Sequence, residues 1–93
     1  MLYDNISVNS DGHLTFCGMD TADLAQQYGT PLMLLDETRI RNRCREYIGA
    51  MEEFLPAGSR PLYASKALSI RKLYDLMKEE GMGVDVEIGR AHV

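Results

Sequence analysis

Three things are scarce in this 93-residue chain: cysteine, positive charge and long apolar runs. Its two cysteines, Cys17 and Cys44, show neither metal-ligand spacing nor a disulfide framework, so we expect free thiols in a reducing cytoplasm. No apolar run approaches the roughly 20 residues that a membrane-spanning helix needs. The formal net charge of -4 argues against non-specific nucleic-acid binding, which depends on lysine and arginine meeting phosphates.

The proportions of apolar and charged residues are those of a folded domain. Apolar residues make up 45% and charged residues 26%, which is typical of a globular rather than a disordered chain. A chain of this length suffices for one domain. The first residues carry no basic segment followed by an apolar one, so we expect no signal peptide.

The first third of the chain predicts a hairpin followed by a short helix. Residues 5–8 and 13–16 alternate polar and apolar side chains, and the turn formers of residues 9–12 separate them. Asp20 has the position of a helix N-cap, and Gly29 marks the helix end. We therefore expect two paired strands and about two turns of helix.

A continuous apolar run and a long amphipathic helix come next. Residues 32–35 are all apolar and lie between turn signals, which predicts a strand buried on both faces. Asp36 ends this run and has the position of a cap for the following helix. The apolar positions of that helix recur at spacings of three and four: Ile40, Cys44, Tyr47, Ile48, Met51, Phe54 and Leu55.

The remainder predicts a strand, a helix and a second strand. Residues 62–67 form an apolar strand with Lys66 at its end, and Ser69 and Gly81 have the positions of helix cap and stop. Residues 83–86 predict another buried strand. The two strands should be parallel with a right-handed crossover. Lys66 and Asp85 would then lie at the carboxyl ends of neighbouring strands, where α/β barrels carry out chemistry.

Lys66 stands out because an ammonium next to a core loses hydration. A lysine whose amine can be neutral is what a carbonyl compound or pyridoxal phosphate needs for a Schiff base. From these residues alone, a lysine that reaches water is the simpler interpretation of Lys66. Asp85 alone is more often a turn or cap residue.

Five blocks resemble the amino-terminal part of the diaminopimelate decarboxylase family. They are residues 28–32 (Tyr-Gly-Thr-Pro-Leu), 35–37 (Leu-Asp-Glu), 39–41 (Arg-Ile-Arg), 63–67 (Tyr-Ala-Ser-Lys-Ala) and 78–86 (Lys-Glu-Glu-Gly-Met-Gly-Val-Asp-Val). The order and spacing of the blocks carry the resemblance, because each block alone is weak. It covers nearly the whole chain, from Asn5 to Val86.

The resemblance implies an α/β fold: the incomplete amino-terminal part of a fold type III (β/α)8 barrel that binds pyridoxal 5'-phosphate, preceded by strands of a β-rich domain. Residues 1–37 would belong to the β-rich domain, and residues 38–86 would form the first helix-strand-helix-strand of the barrel. The family is cytoplasmic and usually homodimeric. It converts meso-diaminopimelate into L-lysine and carbon dioxide, without a metal, a membrane or nucleic acid.

The same resemblance assigns roles to three residues. Lys66 matches the lysine that holds pyridoxal phosphate covalently, and Asp85 matches a barrel-strand aspartate close to that lysine and cofactor. Both are therefore expected to be catalytic. Lys66, Ala64 and Asp85 are the expected cofactor-binding residues. His13, beside the hairpin turn, is expected to be exposed and not a metal ligand.

Residues 87–93 depart from the family pattern. Their back-translation resembles a sequencing-library adapter, so we expect a non-native tail on a truncated reading frame. A (β/α)8 barrel needs roughly 250 residues. We therefore expect the chain alone to be inactive, to bind pyridoxal phosphate weakly and to aggregate.

Two alternatives remain open from the sequence. One is another fold type III decarboxylase, acting on arginine, ornithine or carboxynorspermidine. The other, from a different class, is a small non-catalytic α+β interaction domain.

Overall fold

The computed structural model describes residues 3–85 as two compact units that divide between Asp36 and Glu37. We refer to residues 3–36 as the first unit and to residues 37–85 as the second unit. The strands are β1 (Ile6–Val8), β2 (Leu14–Phe16), β3 (Met19–Asp20), β4 (Leu62–Ala64) and β5 (Gly83–Asp85). The helices are α1 (Thr21–Tyr28), α2 (Glu37–Phe54) and α3 (Arg71–Glu79). Within residues 3–85, no helix combines the length and apolar character needed to cross a membrane.

The first unit contains the predicted hairpin. Strands β1 and β2 are antiparallel, with Ile6 opposite Phe16 and Val8 opposite Leu14, and β3 pairs with β2 on its other side. The Asn9 Oδ1 atom closes the turn by accepting hydrogen bonds from the backbone amide of His13 at 3.0 Å and from that of Asp11. The turn-forming asparagine therefore acts through its own side chain.

Asp20 caps α1 as predicted and also ties the helix to the hairpin. Its Oδ1 atom accepts a hydrogen bond from the Ala22 amide, while its Oδ2 atom lies 2.8 Å from His13 Nδ1 and 2.9 Å from Asn9 Nδ2. We call Asn9, His13 and Asp20 the polar clip. The helix ends at Gly29, as predicted, where φ is 84°.

The predicted strand at residues 32–35 is wrong. These residues form no strand, and each is more than one-third exposed, with Met33 reaching 71%. An apolar run becomes a strand only where a neighbour pairs with its backbone amides and carbonyls. No described strand pairs with residues 32–35, so the run forms no ladder.

The second unit is the predicted strand-helix-strand. Strands β4 and β5 are parallel, with Leu62, Tyr63 and Ala64 opposite Gly83, Val84 and Asp85 respectively. The buried apolar core consists of Cys44, Leu73, Leu76 and Met77. Tyr63 and Val84 of the sheet pack against it. Mixed α/β structure is therefore confirmed.

Burial of the second unit is more one-sided than the sequence predicts. Leu62 is 60% exposed because its side chain is on the sheet face away from the core, so β4 is not buried on both faces. In α2, Cys44 is buried as expected, whereas Phe54 at the helix end is 76% exposed. The described elements cover one face of the sheet and leave the other uncovered.

The predicted start of helix α3 is wrong, whereas its predicted end is confirmed. The expected cap Ser69 is wrong: the N-cap position is Ile70, without a side-chain hydrogen bond. The Ser69 hydroxyl instead pairs with the Tyr74 hydroxyl, so it is not available to the helix amides. The stop at Gly81 is confirmed, since its φ of 82° lies in the left-handed region.

An ion-pair network joins α2 to the end of α3. Glu80 accepts hydrogen bonds from Arg41 Nη1 and Arg45 Nε, each at 2.8 Å. The two guanidinium groups, with Arg45 foremost, hold the pKa of the Glu80 carboxyl below its ordinary value. Arg41 also pairs with Glu37 and Glu79 at 3.1 Å.

Candidate active site

Strand β4 ends at Ala64, and the chain passes directly into a 3₁₀ turn at Ser65–Ala67. We call this segment the lysine turn, because Lys66 is its central residue. The sequence predicted that the strand itself runs to Ala67, which is wrong. The pairing with β5 stops where Ala64 faces Asp85, and past that point the described residues provide no further ladder partner. The Lys66 side chain is exposed.

Lys66, Asp85 and Ala64 come together at the carboxyl ends of the two parallel strands. With Ser65 they line a cavity of about 80 Å³. The juxtaposition follows from topology, since parallel strands end at the same edge of a sheet. The roles expected for Lys66, Ala64 and Asp85 remain predictions.

Ser65 contributes a hydrogen bond that the sequence did not indicate. Its side chain is 5% exposed, and its hydroxyl donates to the backbone carbonyl of Asp85 at 2.9 Å. This bond fastens the lysine turn to the end of β5. A serine between an apolar strand and a lysine gives little signal in the sequence, because its partner is 20 residues away.

Tyr63, the residue before Ala64, makes two contacts. Its hydroxyl donates to the backbone carbonyl of Leu68 at 2.7 Å, while its ring packs against the core. The bond joins the residue before Ala64 to the residue that follows the lysine turn. The only signal in the sequence is an aromatic residue three positions before the lysine.

None of the other titratable candidates lines this cavity. His13 is half-exposed and belongs to the polar clip, and within residues 3–85 no cluster of three His, Cys, Asp or Glu residues is placed to hold a metal ion. Cys17 and Cys44 are free, as predicted. Burial raises the pKa of the Cys44 thiol, which makes it a core residue rather than a nucleophile.

Curated relatives share one name. The chain is 44% identical over 82 residues to diaminopimelate decarboxylase of Bacillus methanolicus, which covers 88% of this chain and 19% of that relative. It is 40% identical over 83 residues to the protein of that name from Bacillus subtilis, covering 87% of this chain and 18% of the relative. The Synechocystis protein of the same name is 35% identical over 82 residues, which cover 88% of this chain and 18% of that protein. No protein-family model matches.

The chain is therefore similar over most of its length to proteins named diaminopimelate decarboxylase. The family resemblance stated from the five blocks is confirmed, because several relatives align with most of the chain. The chain spans about one-fifth of the length of the curated relatives it matches.

The site fits one end of pyridoxal phosphate. Lys66 is exposed, so its amine would be accessible to an aldehyde, and Asp85 lines the same cavity. The cavity of about 80 Å³ is small beside ligand pockets, which usually measure roughly 300–1,000 Å³. Its four lining residues include no arginine and no glycine-rich loop for a phosphate. The four lining residues thus suit the aldehyde of the cofactor but supply no group for its phosphate.

Proposed function

We propose that this chain is a segment of a pyridoxal-phosphate-dependent diaminopimelate decarboxylase, which converts meso-diaminopimelate into L-lysine and carbon dioxide. One observation carries the proposal: Lys66 and Asp85 line one cavity at the carboxyl ends of two parallel strands, in a chain 44% identical to a protein of that name. Residues 38–86 would open the (β/α)8 barrel, and residues 1–37 would belong to the β-rich domain. The expected non-native tail, residues 87–93, lies outside the described residues.

Lys66 would hold the cofactor covalently through its amine. The attacking amine must be unprotonated, and an exposed position on a short turn lets it reach an aldehyde entering the cavity. When bound, pyridoxal phosphate supplies an electron sink for the pair of electrons left as carbon dioxide departs. The Lys66 amine would release the cofactor to the substrate and would hold it again once the product has left.

Asp85 and Ala64 would support that exchange. A carboxylate at the end of β5 would balance positive charge in the cavity, because opposite charges attract each other. The methyl side chain of Ala64 leaves the end of β4 open to a planar ligand. Both residues line the cavity beside Lys66.

The isolated chain would not be active on this proposal. Its cavity is too small to enclose a cofactor and a substrate, so residues outside this segment must complete the site. We further propose a cytoplasmic homodimer as the complete enzyme, whose partner is a small amino acid rather than a nucleic acid or a membrane.

The test uses a hybrid in which residues 3–85 replace the matching segment of the Bacillus methanolicus decarboxylase. Borohydride reduction in the presence of pyridoxal phosphate should attach the cofactor to the peptide that contains Lys66. Lys66→Ala should abolish that label and decarboxylation, whereas Lys78→Ala, which removes an exposed lysine of α3, should preserve both. Mass spectrometry of the reduced peptides reads the result.

Two outcomes would contradict the proposal. An unlabelled Lys66 in a folded hybrid would exclude its covalent role. A folded hybrid that carries the label on Lys66 but releases no carbon dioxide from meso-diaminopimelate would show that this segment does not support that reaction.

A further inference from the structure

We propose that Tyr63 and Ser65 are positioning residues that fix the lysine turn and thereby aim Lys66 at the cavity. This inference rests on the proposed function, because a fixed lysine matters only if its amine captures a carbonyl group. Neither side chain needs to touch the cofactor. Each acts through the backbone that carries Lys66.

The lysine turn has little to hold it in place by itself. It is a single 3₁₀ turn of three residues, and such turns have poorer hydrogen-bond geometry than α-helices. Its N-cap, Ala64, makes no side-chain hydrogen bond, and both Lys66 and Ala67 are exposed. External contacts must therefore restrict its backbone.

The Tyr63 side chain links the residues on either side of the lysine turn. Its hydroxyl donates to the Leu68 carbonyl at 2.7 Å, so one side chain spans the segment from before the turn to just after it. The ring is half-buried and packs against the core of Leu73, Leu76 and Met77. A hydroxyl held by a packed ring can restrain an exposed turn, since little side-chain freedom remains to be lost.

Ser65 anchors the other end of the turn. Backbone pairing of β4 with β5 runs from Leu62 opposite Gly83 to Ala64 opposite Asp85. The Ser65 hydroxyl then donates to the Asp85 carbonyl at 2.9 Å, so a side chain ties the turn to β5 where the described ladder ends. Ser65 is buried, whereas the acceptor residue Asp85 is exposed, so the bond is partly shielded from water.

The two bonds act on residues close to Lys66, because Ser65 directly precedes it and Leu68 follows it by two residues. The Lys66 side chain can still rotate, whereas the backbone from which it extends is restrained. Reactions between two groups speed up when their relative geometry is already restricted. The expected consequence is faster capture of an aldehyde by Lys66 than the same residue would show on a loose turn.

The experiment compares Tyr63→Phe with Tyr74→Phe in the hybrid defined above. Both changes remove one hydrogen-bonded phenolic oxygen from the second unit, but the Tyr74 hydroxyl pairs with Ser69, outside the lysine turn. Hydrogen–deuterium exchange of residues 65–68, measured without cofactor, reports the turn itself. Absorbance during addition of pyridoxal phosphate to the cofactor-free protein reports capture by Lys66.

Tyr63→Phe should accelerate exchange in residues 65–68 by about 2- to 10-fold, the range expected from the net worth of one hydrogen bond. It should slow capture by a similar factor, and Tyr74→Phe should leave both rates near those of the unchanged hybrid. Ser65→Ala should reproduce the exchange effect, which keeps the test valid if one variant folds poorly.

Unchanged exchange in both Tyr63→Phe and Ser65→Ala would overturn the restraint. Faster exchange with an unchanged capture rate would overturn the positioning role. A hybrid that never labels Lys66 would overturn the proposed function and this role with it, while its exchange data would still show whether the two bonds restrain the turn.

Discussion

Thr15 is the only buried residue that the structure describes in the first unit, whereas the second unit buries Cys44, Leu73, Leu76 and Met77 together. The first unit relies on polar contacts: the polar clip, and the pair of Ser7 and Thr15 hydroxyls 2.6 Å apart. The second unit combines an apolar core with an ion-pair network.

Because the two units are stabilised differently, they should be sensitive to different perturbations. Apolar burial is the dominant favourable contribution to folding, so the unit that carries the lysine turn is also the one with the stronger local core. A deleted methyl group should therefore weaken the second unit selectively. A protonated carboxylate should weaken whichever unit contains its partners.

The largest expected effect comes from Leu76→Ala. Leu76 is 2% exposed at the centre of the core, and truncating such a leucine costs about 2–5 kcal/mol in the free energy of unfolding. Hydrogen exchange of the hybrid, resolved by peptide, should show the loss in residues 37–85 and leave residues 3–36 unaltered.

Val8→Ala provides the matched control, because Val8 is 61% exposed and its truncation should change the unfolding free energy by less than about 0.5 kcal/mol. An equal loss of protection in both units after Leu76→Ala would show that they unfold as one, and the distinction between them would then fail.

Two glycines of the second unit should respond in opposite directions. Gly81 has a φ of 82°, so Gly81→Ala forces an L-residue into the left-handed region and should cost about 1 kcal/mol of stability. Gly49 lies within α2, and a methyl group there would meet nothing within 4 Å. Gly49→Ala should therefore add about 0.5–1 kcal/mol. The denaturant midpoints of the two hybrid variants measure these changes. A shift of both midpoints in the same direction would contradict the prediction.

The smallest expected effect is an acid response of the first unit. Hydrogen bonds from His13 and Asn9 lower the pKa of Asp20 from 3.8 to about 2. The unfolded chain thus binds the proton more readily, and this contribution to stability is present above about pH 4 and is lost as the pH falls towards 2. Exchange protection of α1 and β2 should decline over that range.

Asp20→Asn should flatten this decline, because asparagine still caps α1 but does not titrate. Asp11→Asn, in the hairpin turn outside the polar clip, should keep the decline of the unchanged protein. An undiminished pH response in Asp20→Asn would assign the acid sensitivity of the first unit to another group.

Local signals predicted the elements that depend on adjacent residues. The Asp20 cap, the stops at Gly29 and Gly81 and the hairpin turn at Asn9 require only neighbours in sequence, and each is found in the structure. The parallel pairing of β4 with β5 followed from two apolar segments separated by one helix. The meeting of Lys66 and Asp85 at one edge followed in turn from that pairing.

Features that depend on partners beyond the adjacent residues were wrong or missed. Residues 32–35 have the composition of a strand, but the described chain gives their backbone no partner. Ser69 has the type and position of a cap, yet Tyr74 takes its hydroxyl. The bond from Ser65 to the Asp85 carbonyl is set by strand register, which no local pattern encodes.

The bond between the Tyr63 hydroxyl and the Leu68 carbonyl has a consequence for length variation. The tyrosine reaches a carbonyl only five residues ahead, so inserting or deleting one residue between these positions would carry that acceptor out of range. Insertions at the exposed connection around Gly58 meet no such limit, because its residues face solvent. Swapping this segment between distant homologues should therefore succeed across a wide range of connection lengths, provided that the spacing from the tyrosine to the end of the lysine turn stays constant.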